Sequence, residues 1–210
     1  MKELDLLKKD WQKNAGSFQQ ISENEIYKMI HRKSSSIVKW ILIISILEIS
    51  FWTFSNIFIN TDDVLRKINH PEIVKALEFL TYFNYVVVLI FVYIFYKNYK
   101  TISTTIATKS LMSAILKTRK TVQYYVWYNL GMIVVTAILS FFIAFVYNPD
   151  MEFLRDKLAM NGKAMFVTMG ILFLVILGFF GLFWCFYRVI YGTLLRRLYA
   201  NYKELKKIDF

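Results

Sequence analysis

Four long apolar segments alternate with short polar ones along the chain. They run from Ile37 to Ile59, from Leu77 to Tyr96, from Val122 to Tyr147 and from Ala164 to Tyr187. A helix that crosses the hydrocarbon core of a bilayer needs about 20 apolar residues, because the core is roughly 30 Å thick and a helix rises ~1.5 Å per residue. The segments are continuously apolar, whereas membrane β-strands alternate. The pattern therefore predicts an all-α membrane protein built as a four-transmembrane-helix bundle.

The polar segments divide the rest of the chain. Residues 1–36 are predicted to form cytoplasmic amphipathic helices, residues 37–187 the membrane domain, and residues 188–210 a basic cytoplasmic helical tail. Ser22 followed by Glu25 has the spacing of a capping box, in which the two residues cap one helix reciprocally. We therefore expect a helix to begin at Ser22 and to continue toward the first span.

The loops predict short interfacial helices. Asn60 and Thr61 can cap a helix over 62–68, and Pro71 can restart the chain as the first residue of the next helix. Asn148 and Pro149 are expected to open a helix that Gly162 closes. Residues 97–121 are predicted to extend the second span and then to form an interfacial amphipathic helix.

Charge sets the expected orientation. The formal net charge is +11, with Lys+Arg 26 against Asp+Glu 15. Twenty of these cations lie in the N-terminal segment, at the start of the first span, in the middle loop and in the tail, whereas the other two loops hold three each. By the positive-inside rule, both termini and the middle loop are cytoplasmic, facing anionic lipid. This explains the positive charge without a nucleic-acid partner.

Aromatic residues cluster at the predicted cytoplasmic ends of the spans. This is where amphipathic rings prefer to lie, so we interpret them as interfacial anchors rather than as a cofactor site. They are Trp40, Tyr96, Tyr99, Tyr124, Tyr125, Trp127, Trp184, Tyr187 and Tyr191.

Few polar side chains lie inside the predicted spans, and Glu48 is the notable one. An ionisable residue at membrane depth is costly and is a functional hypothesis by default. The other polar residues considered with Glu48 are Ser45 in the first span, Asn84 in the second, and Asn129, Thr136 and Ser140 in the third. Two interpretations stay open. Glu48 joins helices through a hydrogen bond to Asn129, Thr136 or Ser140, or it belongs to a proton or ion path.

Catalytic and metal-binding patterns are absent from the sequence. Cys185 is the single cysteine, and His31 and His70 are the two histidines. No span combines the residues of an intramembrane protease, and no glycine-rich nucleotide motif is present. The sequence therefore predicts a non-enzymatic protein with no metal and no cofactor.

A weak internal repeat relates the two halves of the chain. Arg32 with Trp40 recurs as Arg119 with Trp127 at an offset of 87, and later matches occur at 89 and 91. The matches suggest two duplicated helical hairpins, although basic-aromatic span ends also resemble one another without duplication.

Several stretches resemble a family of small, uncharacterised four-span inner-membrane proteins of flavobacteria. They are Leu4 to Trp11, Glu25 to His31, Lys33 to Trp40 and Ile115 to Val122. Some members carry the label β-carotene monooxygenase, an activity that needs several iron-binding histidines. The two histidines here fall on opposite sides of the predicted membrane, so we reject that label. The resemblance implies the inner membrane of a Gram-negative bacterium.

These observations lead to three functional expectations. The first is a scaffold or partner subunit of a membrane complex, which docks a protein partner or a second copy through the apolar face of Leu4, Leu7 and Trp11. The second is a small transport or channel component that uses Glu48. The third is a membrane-anchored regulator of a cytoplasmic factor.

Overall fold

The computed structural model describes residues 22–58 and 70–208, which fold into helices with no strand among them. The helices are α1 (Glu23–Phe58), α2 (Pro71–Thr104), α3 (Thr108–Tyr147), α4 (Glu152–Ala159) and α5 (Gly162–Ile208), with a 3-10 turn at Pro149–Met151 before α4. Four of them, α1, α2, α3 and α5, are long and apolar enough to cross a membrane. The predicted all-α bundle is confirmed.

The four long helices pack as an antiparallel square. Going round the bundle, α1 contacts α2, α2 contacts α3, α3 contacts α5, and α5 returns to α1. One end of the square gathers the start of α1, the end of α2, the start of α3 and the end of α5; we call it the basic end because most of the cations lie there. The other end carries α4 and is called the α4 end.

The capping box at the start of α1 forms as predicted. The Ser22 Oγ accepts a hydrogen bond from the Glu25 backbone N–H at 3.3 Å, and the Glu25 carboxylate accepts one from the Ser22 N–H at 3.1 Å. From there α1 runs without a break into the first apolar segment. The Tyr27 hydroxyl ties it to the α2–α3 turn by donating to the Thr105 carbonyl at 3.3 Å.

The middle loop differs from its prediction in one respect. The second span does extend, to Thr104, but the predicted interfacial helix does not form separately. Residues 108–121 are instead the first part of α3, which continues into the third apolar segment. No glycine or proline interrupts this stretch, and Leu111 and Ile115 are fully buried between helices. Packing against the other helices replaces burial in lipid.

The basic end has its own hydrophobic core, which lies largely outside the apolar segments. We call it the basic-end core: Ile30, Val38, Ile102, Leu111, Ile115, Leu198 and Leu205, all nearly or fully buried. Every long helix contributes to it, including α5, which continues through the predicted tail to Ile208. Thus the described part of the N-terminal segment, the middle loop and the tail form one packed extension of the membrane bundle.

The α4 end follows its prediction in part. The Asn148 side chain accepts from the Asp150 N–H at 3.0 Å and opens the turn before α4. Arg155 then donates to the Phe145 and Val146 carbonyls, which satisfies the end of α3. Gly162 was expected to close this helix, but it is the first residue of α5.

Asn161 caps the start of α5, which begins one residue later. Its side-chain oxygen accepts from the Ala164 N–H at 3.3 Å and caps α5. On the other hairpin, Pro71 begins α2 as predicted. The helix predicted over 62–68 lies outside the described residues.

Burial is very uneven along the bundle. Buried side chains fill the basic end and the level of Glu48, where the central core includes Ile41, Val88 and Leu130. Beyond that level, no described side chain of residues 49–58, 71–87, 131–147 and 162–186 is fully buried. Side chains of the long helices are therefore less completely buried toward the α4 end.

The pattern of buried positions repeats between the hairpins α1–α2 and α3–α5. Buried positions of α1 recur in α3 at an offset of 84 (Ser34 and Thr118, Val38 and Val122), and those of α2 recur in α5 at 103 (Phe95 and Leu198, Asn98 and Asn201, Ile102 and Leu205). The predicted offsets of 87 to 91 come from basic and aromatic residues at the helix ends, whereas these offsets come from buried positions inside the bundle.

Candidate functional site

The Glu48 carboxylate is the centre of a hydrogen-bond cluster that joins three helices. Oε2 accepts from the Tyr125 hydroxyl of α3 at 2.8 Å and from the Tyr191 hydroxyl of α5 at 3.2 Å. Oε1 accepts from the Tyr187 hydroxyl of α5. We call Tyr125, Tyr187 and Tyr191 the tyrosine cluster. Because the carboxylate bonds to both α3 and α5, it fixes α1 against the two helices that face it.

Aromatic packing holds the tyrosine cluster in place. The Tyr125 ring lies edge-on to Phe95 at 5.3 Å and to Phe91 at 5.4 Å between ring centroids. It also contacts Tyr191 at 5.8 Å, and Tyr191 stacks on Tyr187 at 5.8 Å. Such edge-to-face and stacked pairs fix ring positions, so the hydroxyls reach the carboxylate from a preorganised frame.

The tyrosine cluster corrects two predictions. Tyr125, Tyr187 and Tyr191 were interpreted as interfacial anchors, but each is at most 3% exposed. Glu48 was expected to bond to Asn129, Thr136 or Ser140, and its partners are the three tyrosines instead. The phenol side chain is longer than an amide or a small hydroxyl, so it spans the gap between helices that the shorter groups leave open.

Other predicted anchors face outward at the basic end. The most exposed among them are Trp40, Tyr96, Tyr124 and Trp127, each more than half exposed. Arg188 lies over the exposed Trp184 ring, with its guanidinium carbon 4.8 Å from the ring centroid. Exposed rings beside cations are typical of the membrane–water boundary.

A cavity of about 420 Å³ begins at Glu48 and extends toward the α4 end. Along α3 its wall includes Asn129, Thr136 and Ser140, which lie on one face of the helix and span about 16 Å along its axis. The α2 wall includes Asn84, whose side-chain oxygen accepts from the Tyr128 hydroxyl at 3.1 Å. Tyr187 of α5 also lines the cavity, so all four long helices supply polar groups to its wall.

The cavity brings together five of the six predicted intramembrane polar residues. Ser45 is the exception, since its hydroxyl is fully buried and donates to the Leu42 carbonyl of its own helix at 2.8 Å. Asn129 lines the cavity, but its amide also donates back to the Tyr125 carbonyl at 2.9 Å. The face on α3 predicted from residue spacing is therefore a cavity wall.

Several lining residues were missed from the sequence, and their spacing held a usable signal. Tyr125 lies four residues before Asn129, so it continues the polar face of α3 by one helical turn. Phe183 and Tyr187 repeat the same spacing on α5. Asn56 and Tyr85, hydrogen bonded to each other at 2.9 Å, carried no comparable signal because their pairing depends on how α1 and α2 align.

The predicted docking residues Leu4, Leu7 and Trp11 lie outside the described residues. Among the described residues, no group of three or more His, Cys, Asp or Glu side chains comes together as a metal site. Cys185 is exposed on α5.

The long apolar helices and the polar cavity between them define an α-helical bundle of the kind that crosses a membrane. The chain belongs to the family described as Domain of unknown function (DUF8845), which matches residues 24–210. No curated protein and no solved structure matches the chain.

Proposed function

We propose that the protein is a small membrane carrier component that binds an amphipathic small molecule in the Glu48 cavity. The observation that carries this proposal is the convergence of polar side chains from four helices on one cavity of about 420 Å³. Ligand pockets typically measure roughly 300–1,000 Å³ and combine apolar walls with a few placed polar groups. Polar groups are expensive at membrane depth, which favours a function for those that gather there.

The shape of the cavity favours a carrier over an open channel. At the Glu48 end it stops against the tyrosine cluster, and the basic-end core fills the bundle beyond. Toward the α4 end its lining residues Thr136 and Ser140 are exposed. A cavity that is open at one end and closed at the other suits binding from one side, as in one state of a carrier.

We further propose that the basic end faces the cytoplasm of a Gram-negative bacterium, in whose inner membrane the bundle lies. Twenty cations on the side of the termini and the middle loop, against six on the other, support this orientation. The resemblance to flavobacterial inner-membrane proteins supports the compartment. In this orientation the cavity opens away from the cytoplasm.

Binding can be tested with three probes of related shape and different charge. They are tetraphenylphosphonium, tetraphenylborate and neutral triphenylphosphine oxide, measured by equilibrium dialysis of the purified protein in detergent against empty micelles. We expect at least one probe to bind with one-to-one stoichiometry. Binding of none above the micelle background would overturn the proposal.

A pair of neighbouring variants shows whether a bound probe occupies the cavity. Ala137 lines the cavity, whereas Ile138 is 51% exposed on the outside of α3. Ala137→Phe fills the space and should weaken binding at least tenfold. Ile138→Phe adds an aromatic ring to the outer surface and should leave binding unchanged.

The second candidate is the scaffold or partner subunit, and the packed extension at the basic end favours it. Four helices with their own core project beyond the apolar segments and present a rigid, basic surface. A membrane-anchored regulator would use the same surface. Deleting residues 1–20, which removes Leu4, Leu7 and Trp11, should leave the bundle folded and abolish co-purification of a partner. Unchanged co-purification would exclude docking through this face.

A further inference from the structure

We infer that the ligand of the Glu48 cavity is an amphipathic organic cation, such as a quaternary ammonium or phosphonium ion. This inference rests on the proposed binding function and adds the chemical class of the ligand. It is carried by three features of the cavity wall: an acid without a basic partner, an aromatic surface beside that acid, and an apolar wall beyond it.

The ionisable residues that line the cavity are of one sign only, and that sign is negative. Glu48 is the single acidic residue that lines it, and no Lys, Arg or His is among the lining residues. Along α1 the preceding cation is Lys39, which is nine residues away, about 13 Å along the helix axis. Within the part of the chain that the structure describes, no ion pair involves Glu48, so its carboxylate faces the cavity without a counter-ion.

The tyrosine cluster only partly offsets the charge of the carboxylate. Three hydroxyl donors direct partial positive charge at the two carboxylate oxygens. Hydrogen bonds stabilise a carboxylate away from water, but a buried ionic charge is fully balanced only by a charged partner. A cationic ligand would supply this partner, and the preorganised tyrosines would keep the carboxylate in place when the ligand leaves.

Aromatic rings stand beside the carboxylate. Trp52 lies one helical turn from Glu48 on α1, and its ring is 5.9 Å from the Phe183 ring of α5 between centroids. Both residues line the cavity. Organic cations bind to the faces of aromatic rings, Trp above all, and quaternary ammonium ligands are commonly recognised in this way. Carboxylate and rings together are complementary to a cation with an apolar surface.

The remaining walls suit the apolar part of such a ligand. Ile133 and Met132 of α3 line the cavity between its polar groups, and the flexible thioether of methionine adapts to ligands of different shape. An anion would be repelled by Glu48, and a neutral ligand would leave the carboxylate without a counter-ion. The cavity therefore discriminates by charge more than by shape.

The three probes of related shape test this inference directly. For the wild-type protein we expect tetraphenylphosphonium to bind at least tenfold more tightly than triphenylphosphine oxide, and tetraphenylborate to bind no better than in empty micelles. This comparison requires no variant, so it holds even if substitutions at Glu48 impair folding. Equal binding of the cation and the neutral probe would overturn the inference while leaving the proposed binding function intact. Binding of no probe would remove both.

Two variants with the same change in net charge locate the source of the preference. Glu48→Gln removes the charge in the cavity, and Glu78→Gln removes one from an exposed position of α2 that does not line it. We expect Glu48→Gln to weaken cation binding about tenfold, equivalent to 1.4 kcal/mol, without weakening the neutral probe. Glu78→Gln should bind as the wild type does. Equal losses in both variants would show that overall charge, rather than the cavity, selects the cation.

Discussion

At the scale of single residues, Glu48 combines two roles that are usually treated as alternatives. Its carboxylate joins α1 to α3 and α5 through three tyrosine hydroxyls, and the same group closes one end of the cavity. If the cavity binds a ligand as proposed, Glu48 couples that binding to the three helices that it joins. Its structural role is measurable without any ligand.

Replacing Glu48 should separate hydrogen bonding from charge in the free energy of unfolding. Interhelical hydrogen bonds in membrane proteins contribute on average about 0.6 kcal/mol each. Glu48→Leu removes three of them and should destabilise the protein by roughly 2 kcal/mol, with three hydroxyls left without their acceptor. Glu48→Gln keeps an acceptor and should lose less. Thermal unfolding in detergent measures both, and equal losses would contradict a hydrogen-bonding role.

The tyrosine cluster can be tested by removing single hydroxyl groups. Tyr187 is 3% exposed and donates to Glu48, whereas Tyr124 is 57% exposed on the outer face of α3. Tyr187→Phe should cost roughly 0.6–1.7 kcal/mol of unfolding free energy. Tyr124→Phe should change it by less than about 0.5 kcal/mol. If both variants behaved alike in the same unfolding assay, the cluster would have no structural role.

Residue spacing predicted the polar face on α3 but not its partners. Asn129, Thr136 and Ser140 repeat with helical periodicity, which is a property of one helix and is visible in its sequence. The bonds of Glu48 depend on the axial alignment of three helices, which no single segment encodes. Tyr187 at a span end has the sequence context of an interfacial anchor, and only the packing of α1 against α5 distinguishes the two roles.

At the scale of elements, the long helices continue well past their apolar segments. Hydropathy predicted where the apolar segments lie, since that depends on composition alone. It did not predict that residues 108–121 and 188–208 continue the same helices, because amphipathic segments suit a lipid surface and a protein core equally well. Packing between the four helices decides between the two.

The basic-end core predicts losses of very different size for two adjacent residues of α3. Ile115 is fully buried in that core, and Leu116 beside it is 41% exposed. Ile115→Ala should cost roughly 2–5 kcal/mol because it leaves a cavity between the helices. Leu116→Ala should cost about 0.5 kcal/mol or less if its side chain faces solvent. Denaturant unfolding measures the loss of unfolding free energy in both variants.

The reverse order of these two losses would indicate that residues 108–121 lie on the membrane with Leu116 inserted. That result would support the predicted interfacial helix and would contradict the packing of residues 108–121 in the basic-end core. The fold of each variant is checked by its helical circular dichroism before unfolding.

At the scale of the whole molecule, the bundle has one compact end and one open end. Described side chains are buried around Glu48 and toward the basic end, and none in the four long helices is fully buried beyond that level. The burial pattern that repeats between the two hairpins lies in the compact end.

The orientation of the molecule can be measured with single cysteines in a Cys185→Ser background. Cysteines at Thr105, between α2 and α3, and at Phe210 should react with a membrane-impermeant maleimide only after the cells are opened. A cysteine at Met160, which is 90% exposed beside α4, should react in intact cells with a permeable outer membrane. Labelling of the cysteine at position 210 in intact cells would show that the orientation is opposite to the one proposed.

If α5 tilts about a pivot at the tyrosine cluster, the length of the basic-end extension makes it a lever. From Tyr187 to Ile208, α5 runs 21 residues, or about 31 Å. If the helix stays straight, a tilt of 10° at the pivot displaces its tip by about 5 Å, which is about one helical turn. Under such a tilt, a displacement of about an ångström beside Glu48 becomes a displacement of several ångströms at the far end of α5.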